Sequence, residues 1–279
     1  MALSLYLDIQ AIRRADEEVV IHYQGVNADR VAAGSNNLIA RTMRETLQGW
    51  RHRGGFELRI NNQIPVGVGV GSSAAAIVGA LVASHWLGGR KVYDQDLISL
   101  ATAREGHPDN VAAAWHGGFT VAAQSADHVL AASCPVPEHL RLVLVVPDYA
   151  LPTQEARKVL PAHYSRDDAV HNLQRAAMLT AGLFSGKPEF HRTLFDDRWH
   201  QPYRAPLVPG LSEVLALEHP DLLGICLSGA GPSLLAFARG DTAALGELIQ
   251  KTLAARHVQA QVHELAPDNR GAKGWNQLT

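Results

Sequence analysis

Residues Ile64 to Ala76 read Ile-Pro-Val-Gly-Val-Gly-Val-Gly-Ser-Ser-Ala-Ala-Ala, a glycine-rich stretch that runs into an alanine-rich one through two serines. Glycines at alternate positions let the backbone turn through positive φ and gather several N–H groups around one anion. The alanines predict a helix, and its first turn carries unpaired N–H groups and a positive dipole end, both suited to phosphate. Ser72 and Ser73 place hydroxyls where a phosphate or its Mg²⁺ would sit, and Ala74 and Ala75 keep the turn slim. A Walker A loop needs Lys after its last glycine, but Ser72 follows Gly71. A Rossmann fingerprint needs two residues between its last glycines, and only Val70 separates Gly69 from Gly71. The plain alternative is a tight strand-to-helix turn, which requires fewer glycines and no serines.

At 279 residues with 47% hydrophobic and 19% charged residues, the chain can bury a substantial core in one large domain or two modest ones. A net charge of −2 gives no reason to expect nucleic acid or an anionic membrane as partner. Polar residues interrupt every apolar stretch before it reaches the length of a membrane span. Cys134 and Cys226 lie far apart in apolar contexts, and the N-terminus lacks a signal-peptide pattern. Both features point to reduced thiols in a cytoplasmic protein.

Alternation of Leu3, Leu5, Leu7 and Ile9 with polar residues predicts a strand, residues 17–24 a second, and Gly25 to Gly34 a loop. The spacing predicts a helix over Asn37–Trp50, a strand over Phe56–Ile60, and a buried apolar helix over Ser73–Leu87 ended by Gly88 and Gly89. Asp94 reads as the N-cap of a helix over Gln95–Arg104, and Asp109 as a cap for one that stops at Gly117. Phe119–Ala123 and Val129–Ala132 read as a hairpin. The pattern resets around Pro135–Leu140, which divides the chain into domains 1–138 and 139–279. In the second, strands are predicted at Arg141–Val146, Leu223–Leu227, Leu234–Ala238 and Val258–Leu265. Helices are predicted at Thr153–Leu160, Asp167–Phe184 and Asp241–Ala254, with shorter ones near Glu189 and Leu211. Trp50, Trp86, Trp115 and Trp199 read as core or near-core residues.

The glycine loop resembles the phosphate-binding motif of the GHMP kinases, Pro-x-x-x-Gly-Leu-Gly-Ser-Ser-Ala, with Val70 at the Leu position. Glu105-Gly106-His107-Pro108-Asp109-Asn110-Val111-Ala112 is similar to the signature of the homoserine kinases within that superfamily, and Leu227-Ser228-Gly229-Ala230-Gly231-Pro232-Ser233 to the third GHMP motif. The resemblance implies an α+β fold, with a first half like ribosomal S5 domain 2 and a ferredoxin-like second half. It implies phosphoryl transfer from ATP, with Mg²⁺, to the hydroxyl of L-homoserine, and a homodimer.

On the same resemblance the nucleotide is held by Asn37, Pro65, Gly67, Gly69, Val70, Gly71, Ser72, Ser73, Ala74, Ala75, Gly229 and Gly231. Ser73 and Glu105 are the implied metal ligands, and Glu105, His107 and Asp109 the implied catalytic group. The homoserine site takes His107, Asn110, Thr153, Arg157 and Arg204, the two arginines clamping a carboxylate. Read without the family, Glu105 is a helix-end partner for Arg104, Arg157 a surface partner for Glu155, Asn37 a helix cap, and Gly229–Gly231 a plain turn. The family's first motif, Asn-Leu-Gly-Pro-Gly-Phe-Asp, is absent, so Met1 is expected to be an internal methionine with further residues upstream. Two rivals stay open: a nucleotide-binding homologue without turnover, and a GHMP kinase for another alcohol.

Overall fold

The computed structural model describes residues 1–29, 31, 36–52, 54–125, 128–187 and 190–275. Gly34, the expected end of a loop, and Glu189, the expected place of a short helix, lie outside them. By contacts the chain forms two compact units, one of Met1–Val66, Gly71–Ser133 and Asp268–Thr279, the other of Gly67–Val70 and Cys134–Pro267.

In the first unit β3 (Phe56–Asn62) is the middle strand, antiparallel to β1 (Leu7–Arg13) and parallel to β2 (Val19–Gly25). Phe56, Leu58 and Ile60 alternate inward onto α1 (Leu38–Gly49), whose Ile39, Ala40, Met43 and Leu47 share one face. The helix α2 (Ser72–Gly88) is apolar all round, because it is sandwiched. Ala80, Ala83 and Leu87 join the sheet core, while Ala74, Ile77, Val78 and Leu81 meet α3 (Asp94–Glu105) and α4 (Asp109–His116). Gly89 ends α2 in the left-handed conformation, as a C-cap glycine does. A two-stranded ladder of β4 (Phe119–Gln124) and β5 (Val129–Cys134) follows.

The second unit begins with β6 (Arg141–Pro147). Then come α5 (Thr153–Lys158), α6 (Arg166–Phe184), α7 (Gln201–Arg204) and α8 (Leu211–Leu215). The antiparallel pair β7 (Leu222–Leu227) and β8 (Leu234–Ala238), α9 (Thr242–Ala254) and β9 (Ala260–Leu265) complete it. The sheet order β7-β8-β6-β9, every pair antiparallel, with this connectivity is the split βαβ of the ferredoxin-like fold. Its core joins Val143 and Val145 of β6 to Leu245, Ile249 and Leu253 of α9.

The α+β class expected from the sequence is the one observed. Several local expectations shift. The first strand starts at Leu7, not Leu3. Asp94 is the first residue of α3 instead of its cap, because Tyr93 holds the cap position and the Asp94 carboxylate pairs with Lys273. Trp115 is buried, but Trp86 and Trp199 are 51% and 38% exposed, so neither is a core residue. The short helices α7 and α10 (Gly271–Trp275) span too few residues to show a helical period. Among the described residues no helix is long and apolar enough to cross a membrane.

Candidate active site

The glycine loop is built from β3 outward. Asn62, the last residue of β3, receives the Ile64 N–H on its oxygen at 3.0 Å and donates to the Ile64 carbonyl at 2.8 Å, which turns the chain toward the buried Pro65. Gly67, Gly69 and Gly71 all take positive φ, +76°, +86° and +74°. At Gly69 the requirement is also steric, since a Cβ there would sit 2.3 Å from the Ser228 carbonyl oxygen. The turn Ser228–Ser233 lies against this loop: Ser228 Oγ donates to the Gly69 carbonyl at 2.9 Å, and the Ser233 N–H to the Val68 carbonyl at 3.2 Å. Gly229 and Gly231 make the turn with φ of +54° and +87°. Ser228 and Asn62 were absent from the expected site residues, and their sequence signal is only that of turn formers.

Gly71 then caps α2 with no side chain on the first-turn N–H groups of Ser72, Ser73 and Ala74. Ala74 is buried and Ala75 half-buried. The Gly71 Cα faces the side chain of Asn110 across about a van der Waals contact, at 3.6 Å from where a Cβ would stand. Asn37 caps α1, its Oδ1 accepting from the Ile39 and Ala40 N–H groups at 2.9 and 3.3 Å.

A chain of polar groups runs from the same helix end. Ser73 Oγ donates to Glu105 Oε2 at 2.7 Å, and the Glu105 side chain is only 11% exposed. Arg104, its expected partner in the plain reading, bonds instead to Thr46 Oγ1 and the Leu100 carbonyl. His107 Nδ1 lies 2.7 Å from Asp109 Oδ1, while its Nε2 is 3.9 Å from Glu105 Oε1, too far for a hydrogen bond. A proton on Nδ1, assigned from this contact, leaves Nε2 an acceptor. Asp109 does not cap α4 as expected, because Pro108 fills the cap position and Asp109 opens the helix. Its carboxylate orients His107 and takes the Asn110 N–H at 2.7 Å. No cluster of three or more His, Cys, Asp or Glu suited to a metal exists among the described residues. Glu105 and Ser73 are nevertheless a hard-oxygen pair of the kind Mg²⁺ takes when phosphates and water complete its shell.

The second unit brings Arg157 and Arg204 together. Arg157 stands exposed on α5, its guanidinium with no hydrogen bond or ion pair among the described residues, since Lys158 takes Glu155 at 2.6 Å. Arg204, 8% exposed, donates Nε–H to the Ala156 carbonyl at 3.1 Å, and its Nη1 serves the Gly229 carbonyl at 3.0 Å and His200 Nδ1 at 3.2 Å. Three of its five N–H donors are thus committed, and among the described residues the two on Nη2 have no partner. Burial lowers the Arg204 pKa from its usual value, the nearby Asp197 charge opposes this, and the Arg157 charge adds to it. Two like charges with unspent donors have the chemistry to take an anion. Thr153 opens α5 at the solvent-exposed surface.

Sequence reasoning missed what holds Arg204. The Asp197 carboxylate receives the N–H groups of Trp199, His200 and Gln201 at 3.1, 2.8 and 2.6 Å, so it satisfies the donors at the head of α7, where His200 fills the cap position. Gln201 Oε1 in turn accepts from the Leu227 N–H at 2.7 Å. The available signal was an Asp ahead of a Gln-Pro helix start.

A loop of alternating glycines opening an apolar helix, a Ser–Glu oxygen pair and a ferredoxin-like second unit define a small-molecule kinase of the GHMP type. The model of the GHMP kinases N terminal domain matches residues 37–118. The crystal structure of homoserine kinase from Cytophaga hutchinsonii superposes with a TM-score of 0.80 over 95% of this chain and 87% of that one, at 26% identity. The homoserine kinase of Moorella thermoacetica is 36% identical over 274 residues, covering 98% of this chain and 92% of the relative. That of Solibacter usitatus is 40% identical over 259 residues, covering 90% and 83%. The chain belongs to the homoserine kinase family.

Proposed function

We propose that the chain transfers the γ-phosphate of ATP to the side-chain hydroxyl of L-homoserine, giving O-phospho-L-homoserine and ADP in the cytoplasm, as a step of threonine biosynthesis. The observation that carries the acceptor assignment is the pair Arg157 and Arg204, whose facing charges and unspent donors suit a carboxylate. Arg157 offers its whole fork and Arg204 its Nη2, with Thr153 at the start of the same helix. The loop residues Pro65, Gly67, Gly69, Val70 and Gly71 and the first turn Ser72–Ala75 receive the phosphates, backed by Gly229 and Gly231. Asn37, which fixes the start of α1, is the proposed contact for the adenine.

Glu105 and Ser73 would hold Mg²⁺, which when bound neutralises charge on the transferring phosphate. His107, oriented by Asp109, accepts from the acceptor hydroxyl at Nε2, and Asn110 binds beside it. The loose transition state asks for position and charge neutralisation more than for a strong base. A homodimer is the proposed assembly, and the net charge of −2 favours neither nucleic acid nor an anionic membrane as partner.

The test is phosphoryl transfer from Mg·ATP, read as ADP release and as phosphohomoserine by mass spectrometry, with mevalonate and galactose as control acceptors. Homoserine turnover supports the reading. Turnover with a control alcohol alone moves the acceptor assignment, and nucleotide binding without transfer to any of them removes the catalytic claim.

A further inference from the structure

The contacts of Arg204 are uneven in kind. Two of its bonds go to backbone carbonyls, Ala156 on α5 and Gly229 in the turn against the glycine loop. The third goes to a side chain that can gain a proton, His200, one turn earlier at the head of α7. An arginine N–H can only donate, so His200 Nδ1 must carry a lone pair for this bond to exist. The proton of the neutral ring then lies on Nε2, on the side where Asp197 Oδ2 stands 3.8 Å away.

We propose that His200 is a positioning residue for the acceptor site: its unprotonated Nδ1 aims the Arg204 guanidinium, and protonation of the ring releases it. The inference rests on the reading of Arg204 as a carboxylate ligand. A protonated His200 would put an N–H against an N–H and a second positive charge beside Arg204. Among the described residues Asp197 alone opposes that charge, and its carboxylate already serves three backbone N–H groups and Asn172 Nδ2. Arg157 on α5 and Tyr164 ahead of α6 also act on Arg204, and Cys226 on β7 interacts with Asp197. The Tyr164 hydroxyl donates to the Trp199 carbonyl at 2.8 Å, and burial pushes the Cys226 thiol up to about 12, so neither takes up a proton in the range where histidine does. Burial also lowers the His200 pKa, with the Arg204 charge acting in the same direction and Asp197 against it. The shift therefore favours the neutral ring, the form that the Arg204 bond requires. Gly229 gives the arrangement a second consequence. The turn that Arg204 grips is the one whose Ser228 holds the Gly69 carbonyl, so losing Arg204's aim loosens a support of the glycine loop as well.

Steady-state kinetics of the whole chain from pH 5 to 8 test this, with wild type, His200→Asn and His200→Ala compared. Asn keeps an acceptor near the Nδ1 position that cannot titrate. In wild type the KM for homoserine should climb as the pH falls below the ordinary histidine range. In His200→Asn that acid limb should vanish, while the titration of ATP, common to all three proteins, remains. His200→Ala should raise the homoserine KM about tenfold at pH 7.5, the value of one hydrogen bond to a charged group, with kcat changed far less. The proposal is overturned if His200→Asn keeps the wild-type acid limb or if His200→Ala leaves the homoserine KM within twofold. Should His200→Ala melt below the assay temperature, the Asn variant decides alone. A wild type inert toward homoserine at pH 7.5 instead overturns the acceptor assignment itself.

Discussion

Arg157 and Arg204 carry the same charge but do different work. Arg204 is a braced strut, and replacing it would leave the Ala156 and Gly229 carbonyls without their donor as well as removing the proposed carboxylate ligand. The Arg157 guanidinium bonds nothing among the described residues, so Arg157→Ala reports binding with little structural cost. We expect its homoserine KM to rise about 10- to 100-fold, equivalent to ~1.5–3 kcal/mol for hydrogen bonds to a charged group, with the KM for ATP nearly unchanged. Equal losses for both substrates in steady-state assays would refute the clamp. Glu105→Gln keeps an acceptor for the Ser73 hydroxyl and so preserves the fold. Removing its charge should lower kcat by roughly 10²-fold or more, the scale of a lost electrostatic contribution in a transition state, with melting temperature held.

Each element supplies geometry that its residues alone do not have. The glycine loop depends on close approach to the turn Ser228–Ser233, so Gly69→Ala forces a Cβ to 2.3 Å from a carbonyl and also strains a positive φ. We expect nucleotide affinity to fall by at least tenfold and stability by ~1–3 kcal/mol, measured by calorimetric titration and urea unfolding. Gly89→Ala, equally positive in φ but with no atom within 4 Å, should cost less stability and spare the nucleotide. The short helix α7 behaves as an acid-labile brace. Burial alone would raise the Asp197 pKa, but the N–H of Gln201, the charge of His200 and the amide of Asn172 outweigh it and lower it. His200 is lowered too, chiefly by burial. Both groups bind protons less readily folded than unfolded, so their stabilisation is present at neutrality and lost as pH falls. The loss begins below about pH 6.5, where the unfolded histidine protonates, and grows through the carboxylate range. Urea midpoints taken from pH 7.5 to 5 should fall less for His200→Asn than for wild type, and parallel declines would refute this brace.

At the scale of the whole molecule the chain does not divide once. Its last described segment returns to the first unit, where the Asp268 N–H donates to the Ala2 carbonyl and the Gly118 N–H to the Asp268 carbonyl. The Asp268 carboxylate, 9% exposed, receives the N–H groups of Arg270 and Gly271 at 3.0 and 3.1 Å. Asp268→Ala should therefore destabilise the first unit by ~1–2 kcal/mol, as loss of a cap does, visible as earlier thermal unfolding in calorimetry. An unchanged thermogram would mean that this segment is not part of that unit's fold. The polar run Glu105–Asp109 was marked only by the family resemblance, while the loop Gly67–Gly71 and most helices and strands were legible in the sequence. Their signals are local: glycines where φ must be positive, alternation where a strand is half-buried, and apolar residues all round α2 where a helix is sandwiched. The supports of the site were not legible. Arg204 reaches Ala156 and Gly229 across 48 and 25 residues, and Ser228 reaches Gly69 across 159. Asp109 and Asp94 misled for the same reason, since a carboxylate beside a helix start can cap it or turn to His107 or Lys273. What the sequence determined by itself was where the backbone turns and which faces are apolar, because torsional freedom and hydrophobicity belong to each residue. Which donor meets which acceptor, and so which charged side chain is left free for a ligand, only the tertiary structure decided, because pairing depends on distances that packing alone sets.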